Sequence, residues 1–264
     1  MAVALRRRGY HVRGYDADPG ALEAAIELDL INEPCRDPES CVAEADTIVL
    51  AMPVTAILSA LPSVDAAAPP SAMIMDTGSV KAPIVEAMDR LPGARRAIGA
   101  HPVAGNELSG PQAADAQLFV DQPFLLCPSA RTDRAITRRA EALARSLGAV
   151  PRIVRAARHD QTLARTSHVP QFVSTALALS VVPGDEELAG PGLRDMTRLA
   201  LSNPIMWRDI ACTNSANIAD GLRAVGRRLD KVAELIERCD GTEIETLLRE
   251  GGEASSRIRK VAAV

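Results

Sequence analysis

Short apolar runs alternate with helical segments through the first 155 residues, and this alternation limits the folds open to the chain. The runs are 11–16 (HVRGYD), 47–52 (TIVLAM), 73–76 (MIMD), 97–99 (AIG), 123–127 (PFLLC) and 150–154. Between them, 2–8, 19–28, 54–61, 80–91 and 132–147 read as helices, with Gly9 placed to end the first and Pro53 stopping the strand at 47–52. Connections this short predict a parallel sheet covered on both faces, a doubly wound α/β domain. From Ala156 onward the pattern is helical only, including a long apolar stretch at 166–182. We therefore place a domain boundary near Arg155, giving an α/β domain over 1–155 and an all-helical domain over 156–264.

Composition excludes several classes. With 264 residues, 47% hydrophobic and 24% charged, the chain reads as globular. A net charge of −4 gives no general electrostatic reason to bind nucleic acid or an anionic membrane. Arg6, Arg7 and Arg8 cluster, but on a short helix they read as a solvated face. The five cysteines form no CxxC pair, so we expect reduced thiols in the cytoplasm and no metal site. No apolar run is long enough to span a bilayer, and the N-terminus lacks a signal-peptide pattern.

Two residues point toward chemistry. Asp16 ends the run at 11–16. In a dinucleotide-binding βαβ unit an acid there bonds the adenosine ribose hydroxyls and repels a 2′-phosphate, favouring NAD over NADP; a helix-capping aspartate is the equal alternative. The GxGxxG turn that should precede the first helix occurs nowhere in the sequence. We expect the sequence to begin about 10–15 residues late, without a first strand and its loop, and the polypeptide as given to bind NAD weakly. His101 lies in GAHPVAGNELSG (99–110), delivered by a strand into a turn bracketed by Pro102, Gly105 and Gly110, where α/β folds place reactive groups.

Five segments occur in order along nearly the whole chain: VRGYDADP, DTGSVK (76–81), GAHPVAGNELSG, HDQTLARTSHVPQ (159–171) and LRDMTRLALSNPIMWRDIACTN (193–214). Together they resemble the prephenate/arogenate (cyclohexadienyl) dehydrogenase family. That resemblance implies a Rossmann-like NAD-binding domain, a helical domain that dimerises, and an active site between them. The implied reaction is oxidative decarboxylation of a cyclohexadienol in tyrosine biosynthesis. Hydride leaves ring C4 for the nicotinamide, the ring carboxylate departs as CO₂, and the product is aromatic. By resemblance, His101 accepts the C4 hydroxyl proton, which a neutral imidazole can do near neutral pH. Ser79 bonds the same hydroxyl or orients His101, and lies near the cofactor. Arg198 clamps a substrate carboxylate with a bidentate fork. Asn106, Glu107, His159, Ser167, His168 and Trp207 are carried over as substrate-binding, although His159, His168 and Trp207 also read as packing residues. Asp16 and the loop Ala51-Met52-Pro53 fall on the adenosine side of the cofactor.

One departure stands out. Many family members carry a histidine where this chain has Gln171, which cannot be charged. That opens arogenate, or an amino-substituted analogue, beside prephenate. Two competing readings exist: a non-catalytic dimeric binding homologue with impaired cofactor affinity, and a β-hydroxyacid-type dehydrogenase. The latter needs a catalytic lysine in the second domain, where only Lys231 and Lys260 occur. Apolar helices at 166–179 and 222–235 carry more surface than a helical domain of about 110 residues easily hides, which predicts a homodimer.

Overall fold

The computed structural model describes residues 1–105 and 110–262 of the chain. Its strands are β1 (Arg13–Gly14), β2 (Glu33–Pro34), β3 (Thr47–Leu50), β4 (Met73–Asp76), β5 (Ala97–Pro102), β6 (Pro123–Cys127) and β7 (Val150–Ile153). The last five form one sheet in the order β3-β4-β5-β6-β7. Helices α1 (Ala2–Arg6), α2 (Pro19–Glu27), α3 (Pro38–Val42), α4 (Val54–Ala67), α5 (Ala82–Arg90) and α6 (Arg134–Ser146) alternate with the strands. β4 is buried along its whole length, as a strand covered on both faces must be. Met73 and Met75 pack with Ile98, Phe124 and Leu126 against Ile136, Ala140 and Leu143 of α6. Ile74 alternates to the other face, the side of a sheet that Ile57 and Leu61 of α4 and Ile84 and Met88 of α5 complete as buried residues.

The expected α/β architecture is present, with three corrections of detail. β6 runs antiparallel to β5, while the other neighbours in the sheet are parallel. Among the described residues no α-helix crosses over between β5 and β6, only a single 3-10 turn at Pro111–Ala113 and a turn at 116–121, and without a crossover the returning strand must reverse. The run at 11–16 forms only a two-residue strand, which pairs with β2 in a separate parallel ladder. It stops early because the Asp16 carboxylate accepts the N–H of Asp18 at 2.9 Å, turning the chain into α2, whose N-cap is Asp18. Finally, α4 continues through Pro62 to Ala67 instead of ending at 61. Burial of Leu61 and Val64 on either side of Pro62 outweighs the one helix bond that its ring removes.

Beyond the sheet come α7 (Ala156–Leu163), a wide π-helical turn (Ala164–His168), α8 (Val169–Leu179), α9 (Pro191–Thr197), α10 (Pro204–Thr213), α11 (Ser215–Glu237) and α12 (Gly241–Ala262). The π turn ends at His168, two residues before Pro170, which has no N–H to continue a regular ladder. The chain divides into two compact units, Met1–Ile218 and Ala219–Val264. In the first, the helices after β7 are tied to the sheet layer: Thr55 on α4 hydrogen-bonds to Asp209 on α10. The second holds the rest of α11 and α12 and exposes Leu229, Ile236, Leu248 and Ile258. No described helix is long and apolar enough to cross a membrane.

Candidate active site

The site grows from the C-terminal ends of β4 and β5. Asp76 closes β4 fully buried, and its carboxylate accepts N–H bonds from Gly78 at 2.8 Å and Ala100 at 2.9 Å. It also pairs with the ammonium of Lys81, likewise fully buried, whose Nζ donates to the Ala100 carbonyl at 2.8 Å. A buried charge needs a partner and hydrogen bonds to be tolerable, and here one ion pair locks the 77–81 loop onto β5. Gly78 allows the turn to lie close: a Cβ there would come within 2.8 Å of Ile84 Cδ1 and 3.1 Å of Asp76 Oδ2. The loop carries Ser79, half-buried, and the adjoining strand carries His101 opposite Leu125 of β6.

His101 is bonded to a second histidine. Its Nδ1 lies 2.8 Å from Nε2 of His159 on α7, and His159 Nδ1 lies 2.7 Å from Asp160 Oδ1. The Asp160 carboxylate also accepts the backbone N–H groups of Lys81 and Ala82, each at 2.7 Å, capping α5 from a neighbouring helix. Desolvation, with help from His159, Lys81 and His168, holds the His101 pKa well below 6.5. His101 is therefore a neutral imidazole at physiological pH.

The helical side adds a second buried cluster. Asn214 Nδ2 donates to the Asp160 carbonyl at 3.0 Å and lies 3.2 Å from Nδ1 of His168. Burial, and to a lesser degree His159, lowers the His168 pKa to about 4 against the opposing pull of Asp160. Trp207 meets His168 and Phe172 edge-on, with centroids 5.8 and 6.2 Å apart. Gln171 Nε2 donates to the Leu199 carbonyl at 2.7 Å, while its buried Oε1 has no partner among the described residues. Arg198, exposed, stands next to Leu199 at the end of α9. Ser167 is half-buried in the π turn.

The sequence-predicted residues thus separate into groups. His101 and His159 meet directly, and His168 joins them through Asn214 and Asp160. His159 is fully buried with both ring nitrogens engaged, so it offers no atom to a ligand in this geometry. Asn106 and Glu107 lie outside the described residues. Asp16, the Ala51–Pro53 loop and Ser79 each lie just past the C-terminal end of a strand, the edge where open α/β sheets bind ligands. Asp16, Ala51, Met52 and Pro53 are exposed there, and α4 starts at Val54 with no side-chain cap on its first N–H groups. These residues fit the ribose and nicotinamide ends of NAD, while the sequence supplies no GxGxxG turn for the pyrophosphate. No cluster of His, Cys, Asp and Glu among the described residues could hold a metal. Sequence reasoning missed Lys81, Asp160 and Asn214, although all three stand in the quoted segments. The cue was chemical: a lysine five residues after the aspartate that closes a fully apolar strand must find that aspartate or leave the core.

An open strand edge on an α/β sheet and a neutral imidazole at the end of β5 are what a dehydrogenase of the α/β class requires. Comparison with known proteins makes this specific. The family model "Prephenate dehydrogenase, nucleotide-binding domain" matches residues 1–152, and "Prephenate dehydrogenase, dimerization domain" matches 155–250. The chain belongs to the prephenate dehydrogenase family. Cyclohexadienyl dehydrogenase of Zymomonas mobilis is 31% identical over 236 residues, covering 86% of this chain and 80% of that protein. Prephenate dehydrogenase of Bacillus subtilis is 29% identical over 252 residues, covering 92% and 68%. The crystal structure of prephenate dehydrogenase from Aquifex aeolicus with hydroxyphenyl propionate and NAD+ superposes with a TM-score of 0.89 at 29% identity, covering 97% of this chain and 93% of that one.

Proposed function

We propose that the chain oxidatively decarboxylates prephenate or arogenate with NAD, giving 4-hydroxyphenylpyruvate or tyrosine. The observation that carries this reading is His101: a desolvated, neutral imidazole at the end of β5, bonded to the buried His159. When bound, NAD supplies the hydride acceptor for ring C4. His101 takes the proton of the C4 hydroxyl as hydride leaves, and returns it to that oxygen once CO₂ has departed and the ring is aromatic. Ser79 bonds the same hydroxyl. Arg198 grips a substrate carboxylate; with Ser167, His168 and Trp207 it lines the substrate side, and Asp16 and 51–53 face the adenosine. Domains of 1–155 and 156–264 divide these duties.

Gln171 favours the amino substrate. Its amide gives one N–H to the Leu199 carbonyl, and its buried carbonyl oxygen has no partner among the described residues. That atom can accept a hydrogen bond from an ammonium but can give none to a keto oxygen. We also propose a homodimer, supported by the match to the dimerization-domain family model and by exposed Leu179, Leu201, Leu229 and Leu248. A reducing cytoplasm suits the five cysteines, all present as thiols.

The test is NADH formation with prephenate and arogenate assayed in parallel. His101→Asn should lower turnover by at least about a hundredfold and leave binding of hydroxyphenyl propionate intact. Unchanged turnover in that variant would refute the role of His101.

A further inference from the structure

We propose that His159 and Asp160 are positioning residues that fix His101 as its Nδ1–H tautomer and leave Nε2 bare as the proton acceptor. The polarity follows from counting donors. Asp160 Oδ1 and Oδ2 accept the fixed backbone N–H groups of Lys81 and Ala82, so the carboxylate is anchored as an acceptor. His159 must then present N–H from Nδ1 to Asp160 Oδ1. In a neutral ring this leaves His159 Nε2 without a proton. Across the 2.8 Å contact, His101 Nδ1 has to be the donor. The lone pair of His101 therefore sits on Nε2, the nitrogen not used in the network.

Burial makes the assignment rigid. His159 is 0% exposed and Asp160 2%, so neither water nor substrate can replace a link. The opposite polarity needs either a doubly protonated His159, a second buried cation near Lys81, or a proton moved onto Asp160, whose two oxygens already accept backbone N–H groups. The two residues do not touch the reacting atoms; they decide which His101 nitrogen can.

This inference takes its catalytic consequence from the proposed role of His101, while the tautomer itself is independent of substrate. The chain has only four histidines, so long-range proton–nitrogen NMR correlations can be assigned by single substitutions. Above neutral pH, the His101 ring of the wild-type protein should show its proton on Nδ1 and a bare Nε2. Two variants extend the test. In His159→Gln, an amide that turns its NH₂ to Asp160 must turn its oxygen to His101, so the tautomer persists and kcat should stay within about tenfold. His159→Phe keeps the bulk and removes the acceptor; kcat should fall on the order of a hundredfold or more with KM little changed, as expected for a misprotonated base. A wild-type His101 carrying its proton on Nε2, or equal kcat values for the Phe and Gln variants, would overturn the assignment. Should the Phe variant fail to fold, the wild-type spectrum still decides. A protein with the expected tautomer that oxidises neither substrate would defeat the functional reading and leave the positioning intact.

Discussion

Lys81→Met isolates the ion pair on which the site is built. Both partners are fully buried, and the methionine nearly preserves the volume of the lysine stem while deleting its ammonium. Asp76 is left with two backbone donors, Gly78 and Ala100, and no counter-charge. Breaking a buried pair from one side typically costs about 3–5 kcal/mol, because the remaining charge stays desolvated. Against a total stability of about 5–15 kcal/mol this is a large fraction, and it corresponds to a fall in Tm of about 6–20 °C for a chain of this size. Removing the second charge as well, in Asp76→Asn/Lys81→Met, should recover about 1–2 kcal/mol. The recovery is partial, since one amide oxygen cannot serve both backbone donors, and a buried unpaired N–H costs about 1–3 kcal/mol. Urea unfolding is the assay, followed by the fluorescence of Trp207, the sole tryptophan, which lies in the Met1–Ile218 unit. A Lys81→Met protein within about 1 kcal/mol of wild type, or a double variant less stable than the single, would refute the reasoning.

Three further outcomes are expected. Arg198→Ala should raise the apparent KM far more than it lowers kcat, and Arg198→Lys should not restore it, because an ammonium lacks the bidentate fork; a pure kcat defect in steady-state NADH assays would count against a carboxylate-binding role. Acid should destabilise the fold through the buried neutral histidines. His168 titrates at about 4 in the folded protein and near 6.5 unfolded, so the unfolded chain binds the extra proton, and stability is lost as pH falls between those values. His168 alone contributes about 3 kcal/mol over that window, so thermal melts of His168→Gln should depend less on pH than those of wild type. Gly99→Ala should destabilise by about 1–3 kcal/mol, because its Cβ would come within 2.6 Å of Val85 Cγ2 and 3.1 Å of the Cys127 carbonyl; a wild-type melting curve would show that β5 and α5 are farther apart than described.

Local patterns were sufficient for much of this protein. Apolar runs of strand length, separated by amphipathic helices, were enough to specify an α/β layer followed by helices, since burial on both faces leaves no alternation to misread. His101 was legible because a strand feeds it into a Pro- and Gly-bounded loop, and the ordered motifs around it carried the family. The residues between which contacts form were less legible. His159 and Asp160 read as one motif among several, and nothing in their neighbourhood shows that one ring would be sealed between His101 and a carboxylate 58 and 1 residues away in sequence. Lys81 reads as an ordinary loop lysine until Asp76 is found beside it with no water to compete.

The amino-acid order alone therefore determined the elements, their class and the chemical vocabulary of the site, because periodicity and turn chemistry act over a few residues. Only tertiary structure decided that β6 reverses against β5, that β1 pairs apart from the main sheet, and that three histidines and two aspartates join through Lys81 and Asn214 in a single network. Those outcomes depend on which polar groups must find partners once water is excluded, and that requirement is satisfied across the folded chain rather than along it.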